Sequence, residues 1–431
     1  MSRIFLNLSM WIALLVMPVV GMAQAPDQIL FNAQVLTVDE DFSIASAIAI
    51  SGERILAVGS DQEILALANA QTEQTDLMGR TVIPGLIDNH LHYLRGTNFA
   101  AYEIPIHGVT SRQEVLDRIS AKAEELGPGK WIFILGGWNE QQFADKAGGF
   151  TGEELDLAAP DNPVFIQKTY SAFYMNSLAV AEIGPALPEY YEGGSVIRVD
   201  NRTGRFVMAE ALKHFPFAET DAERMDEVRA FNEYLNSMGV TTAYDVGYLD
   251  GSYDPVEALY EIDDLSVRVF YAARYWADSP RTSIAAAELL DREEPFQRDD
   301  RFGMFGIGEH VHGYLHDSTA SDVPLADELY DAWTLIARSA AKNGWYINEH
   351  VMQDGTANRM MSIAEEISKD YPTRDLRWTL GHVDLIKKET VDRAKDLGWN
   401  ITLANHTVKP RMEGKVSPPV RMIQDSGILW G

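Results

Sequence analysis

"VIPGLIDNHLHYLRG", residues 82–96, is the stretch on which the fold turns. An apolar run breaks at Pro84-Gly85, resumes as Leu86-Ile87 and ends in two histidines separated by one leucine. On a strand, side chains two positions apart point to the same face, whereas a helix makes neighbours of residues three and four apart. His90 and His92 on a strand therefore aim two imidazoles at one point, which is the geometry of metal ligands.

Upstream, from Ile29 to Thr81, short apolar runs with turn punctuation ("ILFNAQVLTVD", "SAIAISGERILAVG", "TDLMGRTVIPG") predict a small N-terminal β-sandwich segment over 24–82, with a hairpin at Ser51-Gly52. Downstream, strands alternate with helical patterns, as a parallel α/β unit requires. The expected strands are 85–92, 240–247, 267–273, 302–310, 345–350, 376–382 and 400–405, and the closing "MIQDSGILWG" reads as a helix end followed by the first half of an eighth. This is an α/β chain of TIM-type (β/α)8 architecture, occupying 83–431 and incomplete at its C-terminus. A long insertion at about 100–238 follows the first barrel strand, because counting its apolar runs as barrel strands would give too many.

His350 closes "WYINEH" and His382 closes "LRWTLGH", two further runs that read as barrel strands. Functional groups of such barrels gather at the C-terminal ends of the strands, so His90, His92, His350 and His382 would converge on one mouth. A lone strand-end histidine is usually a hydrogen-bonded structural residue; four in register, out of ten in the chain, point to a metal site.

Composition narrows the chemistry. The 431 residues are 46% hydrophobic and 23% charged, values of a globular protein. A net charge of −28, from 36 basic and 64 acidic residues, argues against a nucleic-acid partner and otherwise reads as a solvated surface. With no cysteine, any metal must be held by nitrogen and oxygen. The N-terminus, with Arg3, an apolar run from Met10 to Val20 and small residues at Gly21 and Ala23, predicts a signal peptide over 1–23. The mature chain is then exported, to a bacterial periplasm or beyond, without a stable membrane span.

These motifs together, "VIPGLIDNHLH", "VTTAYDVG", "INEHVMQDGTANRMM" and "LGHVDLI", resemble the metal-dependent amidohydrolase superfamily. The insert's "GGWNEQQF", "ELDLAAPDNPVF" and "YMNSLAV" are similar to the amidohydrolase family 3 branch, which includes N-substituted formamide deformylases. The resemblance implies His90 and His92 as first-strand ligands, His350 as the fifth-strand ligand and His382 as the sixth. Many relatives carry a carbamylated lysine on the fourth strand; this chain has Glu309 there, which offers two oxygens without modification, with His310 and His312 beside it as substitutes. It further implies one or two divalent ions, zinc preferred, an activated water, and hydrolysis of a C–N bond in an amide, formamide or cyclic amide of a small-molecule substrate. Self-association is left open.

Two further departures accompany it. Ser171 stands where relatives often carry a histidine. In the insert, Trp138 and Asn139 are the expected substrate-binding residues, with Lys168 and Glu140 nearby. The family's general-base Asp belongs at the end of the eighth strand, and "SGILWG" stops at Gly431 before delivering one, so a truncated chain is expected. The alternatives carried beside the hydrolase reading are an inactive metal-binding fragment and a metal-dependent esterase, isomerase or decarboxylase on the same scaffold.

Overall fold

A computed structural model describes residues 25–431, apart from 147, 188–193, 248–251, 274–276, 298, 314, 316, 318–323 and 404–417. The expected signal peptide lies outside the described residues. The chain divides into two compact units at Gly85/Leu86, three residues beyond the boundary expected from the sequence.

The first unit is built on a four-stranded sheet in the order Arg54–Gly59, Ala47–Ser51, Gln28–Phe31, Glu73–Asp76. A three-stranded sheet of Ile44–Ala45, Gln34–Leu36 and Thr81–Val82 accompanies it. The hairpin between Ala47–Ser51 and Arg54–Gly59 turns at Gly52, whose φ of +54° suits a residue without Cβ. Ile29, Ala47, Ala49 and Ile64 form the small core. Ile64 comes from a one-turn helix, Asp61–Leu65, that starts with a capping box in which Ser60 and Glu63 satisfy each other's amides.

In the second unit seven parallel strands follow the chain order. β1 (Leu86–Leu91), β2 (Val240–Asp245), β3 (Arg268–Ala273) and β4 (Phe302–Ile307) pair as neighbours in one sheet. β5 (Asn348–Val351), β6 (Thr379–His382) and β7 (Asn400–Thr402) pair in another. Parallel bridges from Ile307 to Ile347 and from Ile401 to Trp430 continue the series past β4 and β7. β4 ends before its apolar run does, so that Glu309 leaves the ladder, whereas β5 and β6 start later than their runs suggest and keep His350 and His382 in the ladder.

Amphipathic helices cover the strands. Helix Asp327–Asn343 buries Tyr330, Trp333, Ile336, Ala337 and Ala340 at helical spacing and ends at Gly344, whose φ of +79° makes the left-handed C-cap. Trp333, Trp345 and Trp378 are fully buried in the largest core cluster. At roughly 200 Å² each and about 25 cal/mol per Å², each indole contributes on the order of 5 kcal/mol of transfer free energy before entropic losses. Their N–H groups are also satisfied: Trp345 Nε1 donates to the Leu290 carbonyl at 3.1 Å and Trp378 Nε1 to that of Trp345 at 2.9 Å.

The segment between β1 and β2 forms its own four-stranded sheet, ordered Val196–Arg198, Ala172–Met175, Val164–Thr169, Ile132–Leu135. Both faces are buried. Ile132, Ile134, Val164 and Ile166 pack on one side with Phe143 and Phe150, while Phe133, Phe165 and Phe173 pack on the other with Phe99 and Phe215. Among the described residues no helix is long and apolar enough to cross a membrane.

Candidate metal centre

β1 delivers His90 inside the sheet and His92 just beyond it, at the residue that opens helix Tyr93–Ala100. β4 ends at Ile307 and is followed by Glu309; β5 carries His350 and β6 ends on His382. The five side chains meet around the Glu309 carboxylate, which is 3% exposed. His350 Nδ1 donates to Oε1 at 3.0 Å and His382 Nε2 to the same oxygen at 2.6 Å. His90 Nε2 lies 3.6 Å from Oε1, whereas His92 Nε2 lies 3.6 Å from Oε2. His310 Nε2 is farther, 3.9 Å from Oε2. The two oxygens thus face different imidazoles.

His382 reaches this point by a local device. Alternation along β6 puts Thr379 and Gly381 on the inner face and Leu380 on the outer, so His382 should follow Leu380 outward. Its φ of +74°, unusual for a residue with a Cβ, turns the imidazole inward instead. The rings then pack edge to face, with His90 and His382 centroids 4.6 Å apart and His350 and His382 centroids 4.5 Å apart. Gly381 leaves room for this: a Cβ there would sit 3.1 Å from His90 Cε1.

Burial alone would raise the Glu309 carboxyl, but the His350 and His382 hydrogen bonds and the nearby His90 imidazole outweigh it and hold the group well below the usual carboxylate range. Burial pushes His382 down to about 3 against the pull of Glu309. For His350 the balance goes the other way, with the Glu309 hydrogen bond overcoming burial and raising it.

The residues fit a divalent cation. His90, Glu309 and His382 each offer a ligand atom, all within 4.8 Å of one another. His90 Nε2 is buried with no hydrogen-bond partner among the described residues, a cost that a ligated ion would remove. Its other nitrogen, Nδ1, is held 3.1 Å from Thr402 Oγ1 of β7, and His350 Nε2 donates to the Asp317 backbone carbonyl at 3.2 Å. Outer contacts of this kind fix the tautomer and the aim of a metal-binding imidazole. Neither Thr402 nor Asp317 is signalled by any motif. His90, His350 and His382 are 4–5% exposed, but His92 is 31% exposed, so the cluster opens on the His92 side.

The insert residues expected to bind substrate have other work. Trp138 is buried against Phe143, Phe150 and Tyr174 and donates Nε1 to the Gln167 carbonyl at 2.9 Å, so it belongs to the insert's core. Asn139 is the N-cap of the short turn Glu140–Gln142, accepting from Gln141 N–H at 2.9 Å. Lys168 pairs with Glu140, which also accepts from the Tyr174 hydroxyl at 2.8 Å.

A model of the amidohydrolase family matches residues 73–431. The N-substituted formamide deformylase of Arthrobacter pascens is 34% identical over 234 residues, covering 51% of this chain and 42% of that protein. Protein LONG AFTER FAR-RED 3 of Arabidopsis thaliana is 24% identical over 396 residues, covering 85% of this chain and 66% of that protein. The chain thus spans less than two thirds of the length of these curated relatives. Among solved structures, an uncharacterized metal-dependent hydrolase from Pyrococcus furiosus superposes with a TM-score of 0.57 at 20% identity, covering 88% of this chain and 77% of that one, a likeness of fold.

Proposed function

The chain belongs to the amidohydrolase family, and on that premise we propose that it is a metal-dependent hydrolase that opens a C–N bond in a small carboxamide, an N-substituted formamide or a cyclic amide. The observation that carries this reading is the single buried carboxylate, Glu309, faced by four imidazoles from β1, β5 and β6.

His90, His92, His350 and His382 would hold the metal together with Glu309, whose two oxygens face different histidines. A nitrogen-rich set with one carboxylate and no thiolate suits zinc. A divalent ion bound there supplies Lewis-acid polarisation of the scissile carbonyl and lowers the pKa of the attacking water toward neutrality. The chain supplies the rest: Thr402 and the Asp317 carbonyl orient His90 and His350, the buried wall keeps bulk water from three of the imidazoles, and the open side at His92 admits substrate and water. In the reaction water adds its oxygen to the carbonyl carbon, the C–N bond breaks, and the amine leaves carrying a proton. Export, expected from the N-terminal residues, is part of the same proposal.

The test is metal analysis of the purified chain together with amine release from an N-substituted formamide, a primary amide and a cyclic amide. Zinc retained by the wild type and lost in Glu309→Gln, with turnover abolished by a chelator and restored by zinc, is expected. Equal metal content in both proteins would overturn the site, and turnover of none of the three amides would overturn the substrate class.

A further inference from the structure

Helix Tyr93–Ala100 begins at the metal centre, yet the residue in its N-cap position does no capping. His92 has φ −96° and ψ 76° and makes no side-chain hydrogen bond to the helix. N-cap side chains ordinarily fold back to accept from the second or third amide of the helix. An imidazole folded back in that way could not also face Glu309.

The second of these amides, that of Leu94, is served from the neighbouring strand. Leu94 N–H donates to Asp245 Oδ2 at 3.0 Å, and Gly247 N–H donates to Asp245 Oδ1 at 3.0 Å. The Tyr253 hydroxyl lies near enough to the same carboxylate to favour its charged form. Asp245 is 3% exposed and closes β2 level with Leu91 of β1, one residue before His92. Gly247, at φ +80°, is wedged against the ends of the next two strands, for a Cβ there would come within 2.5 Å of the Ala272 and Gly308 carbonyl oxygens. Gly308 immediately precedes Glu309.

We infer that Asp245 is a positioning residue for the metal centre: by capping the helix in place of His92 it leaves that imidazole to face Glu309, and through the Gly247 turn it ties His92 to the frame that carries Glu309. This rests on the reading of His92 as a ligand. A carboxylate is suited to the task because its two oxygens accept from both amides at once, whereas an asparagine would turn an NH2 toward one of them.

The experiment compares wild type, Asp245→Asn, Tyr253→Phe and Thr97→Val for zinc affinity by chelator competition, for the visible spectrum of the Co²⁺-loaded protein, and for thermal stability. Thr97, whose hydroxyl donates to the Leu94 carbonyl at 2.9 Å, is the control that weakens the same helix away from its cap. Loss of an outer-shell partner typically weakens metal binding about 10–100-fold. Asp245→Asn should show that loss with a changed Co²⁺ spectrum, Tyr253→Phe a smaller one, and Thr97→Val a lower melting temperature with both metal readouts unchanged. If Asp245→Asn does not fold, Tyr253→Phe, which removes only the hydroxyl beside the carboxylate, decides alone. Wild-type affinity and spectrum in Asp245→Asn and Tyr253→Phe would overturn the inference while leaving the metal site standing, and so would equal changes in Thr97→Val. A wild type that takes up neither ion would overturn both.

Discussion

Replacing Gly381 by alanine adds one methyl group beside the proposed metal centre. That Cβ would lie 3.1 Å from His90 Cε1, 3.4 Å from Asn348 Oδ1 and 3.4 Å from the Glu349 carbonyl oxygen. Carbon atoms pack comfortably at about 3.5–4.0 Å, so the His90 ring must retreat by roughly 0.4–0.9 Å or the strand must shift. The ring cannot simply swing away, since Nδ1 is held at 3.1 Å by Thr402 and the His382 ring packs against it at 4.6 Å. Metal–ligand distances tolerate about 0.2 Å, several times less than the displacement required. Gly381→Ala should therefore lower zinc affinity by about tenfold or more, while the overpacking itself costs about 1–3 kcal/mol of stability. Chelator competition gives the affinity and urea unfolding of the metal-free protein gives the stability. Wild-type zinc affinity in a folded Gly381→Ala protein would refute the placement of His90 against β6.

Thr402→Val, close to isosteric, takes away the partner of His90 Nδ1 and should weaken zinc binding about 10–100-fold by chelator competition, with little change in melting temperature. Trp333→Phe removes the indole N–H that donates to Glu349 Oε2 at 2.7 Å inside the helix layer; the buried carboxyl left without it should cost about 1–3 kcal/mol in urea unfolding, plus the packing loss. Burial would raise Glu154, but hydrogen bonds from Arg112 and Lys146 prevail and hold it at about 2. A depressed carboxyl contributes stability above its ordinary value near 4.5 and loses it as pH falls toward 2. Glu154→Gln should thus be less stable than wild type by about 1–3 kcal/mol at neutral pH, with the gap closing in acid; a gap independent of pH in urea titrations would contradict the pairing.

Two features of the sequence carried most of what could be read. The period-two spacing of His90 and His92 still brings both imidazoles to Glu309, although His92 lies one residue past the strand, and Glu309 stands out as the acid that follows the fourth strand. His382 was legible as a strand-end residue but not as an inward-facing one, since its aim depends on a left-handed backbone angle that no side-chain pattern encodes. Thr402, Asp317 and Asp245 act through contacts between distant segments, the hydrogen bond from Thr402 to His90 joining residues 312 positions apart. For Asn139 a better reading was available. The spacing Asn139-x-x-Gln142 is that of a capping box, and both of its reciprocal hydrogen bonds form. Trp138 misleads for a different reason: an apolar run ending in a large aromatic looks the same whether it lines a pocket or, with Phe143 and Phe150 a few residues on, closes a core.

The spread of the ligand atoms along the chain has a consequence for how the protein is made. Residues 90 and 92 emerge from the ribosome long before 309, 350 and 382, with the whole insert sheet in between. If the cluster holds an ion, a nascent chain that ends before residue 309 carries only His90 and His92 of it, so uptake would follow the docking of most of the strands. An ion that binds only the assembled form stabilises it in proportion to the logarithm of its free concentration. Metal supply would then set the lifetime of the finished protein against proteases, as a check on completed assembly that is separate from any turnover.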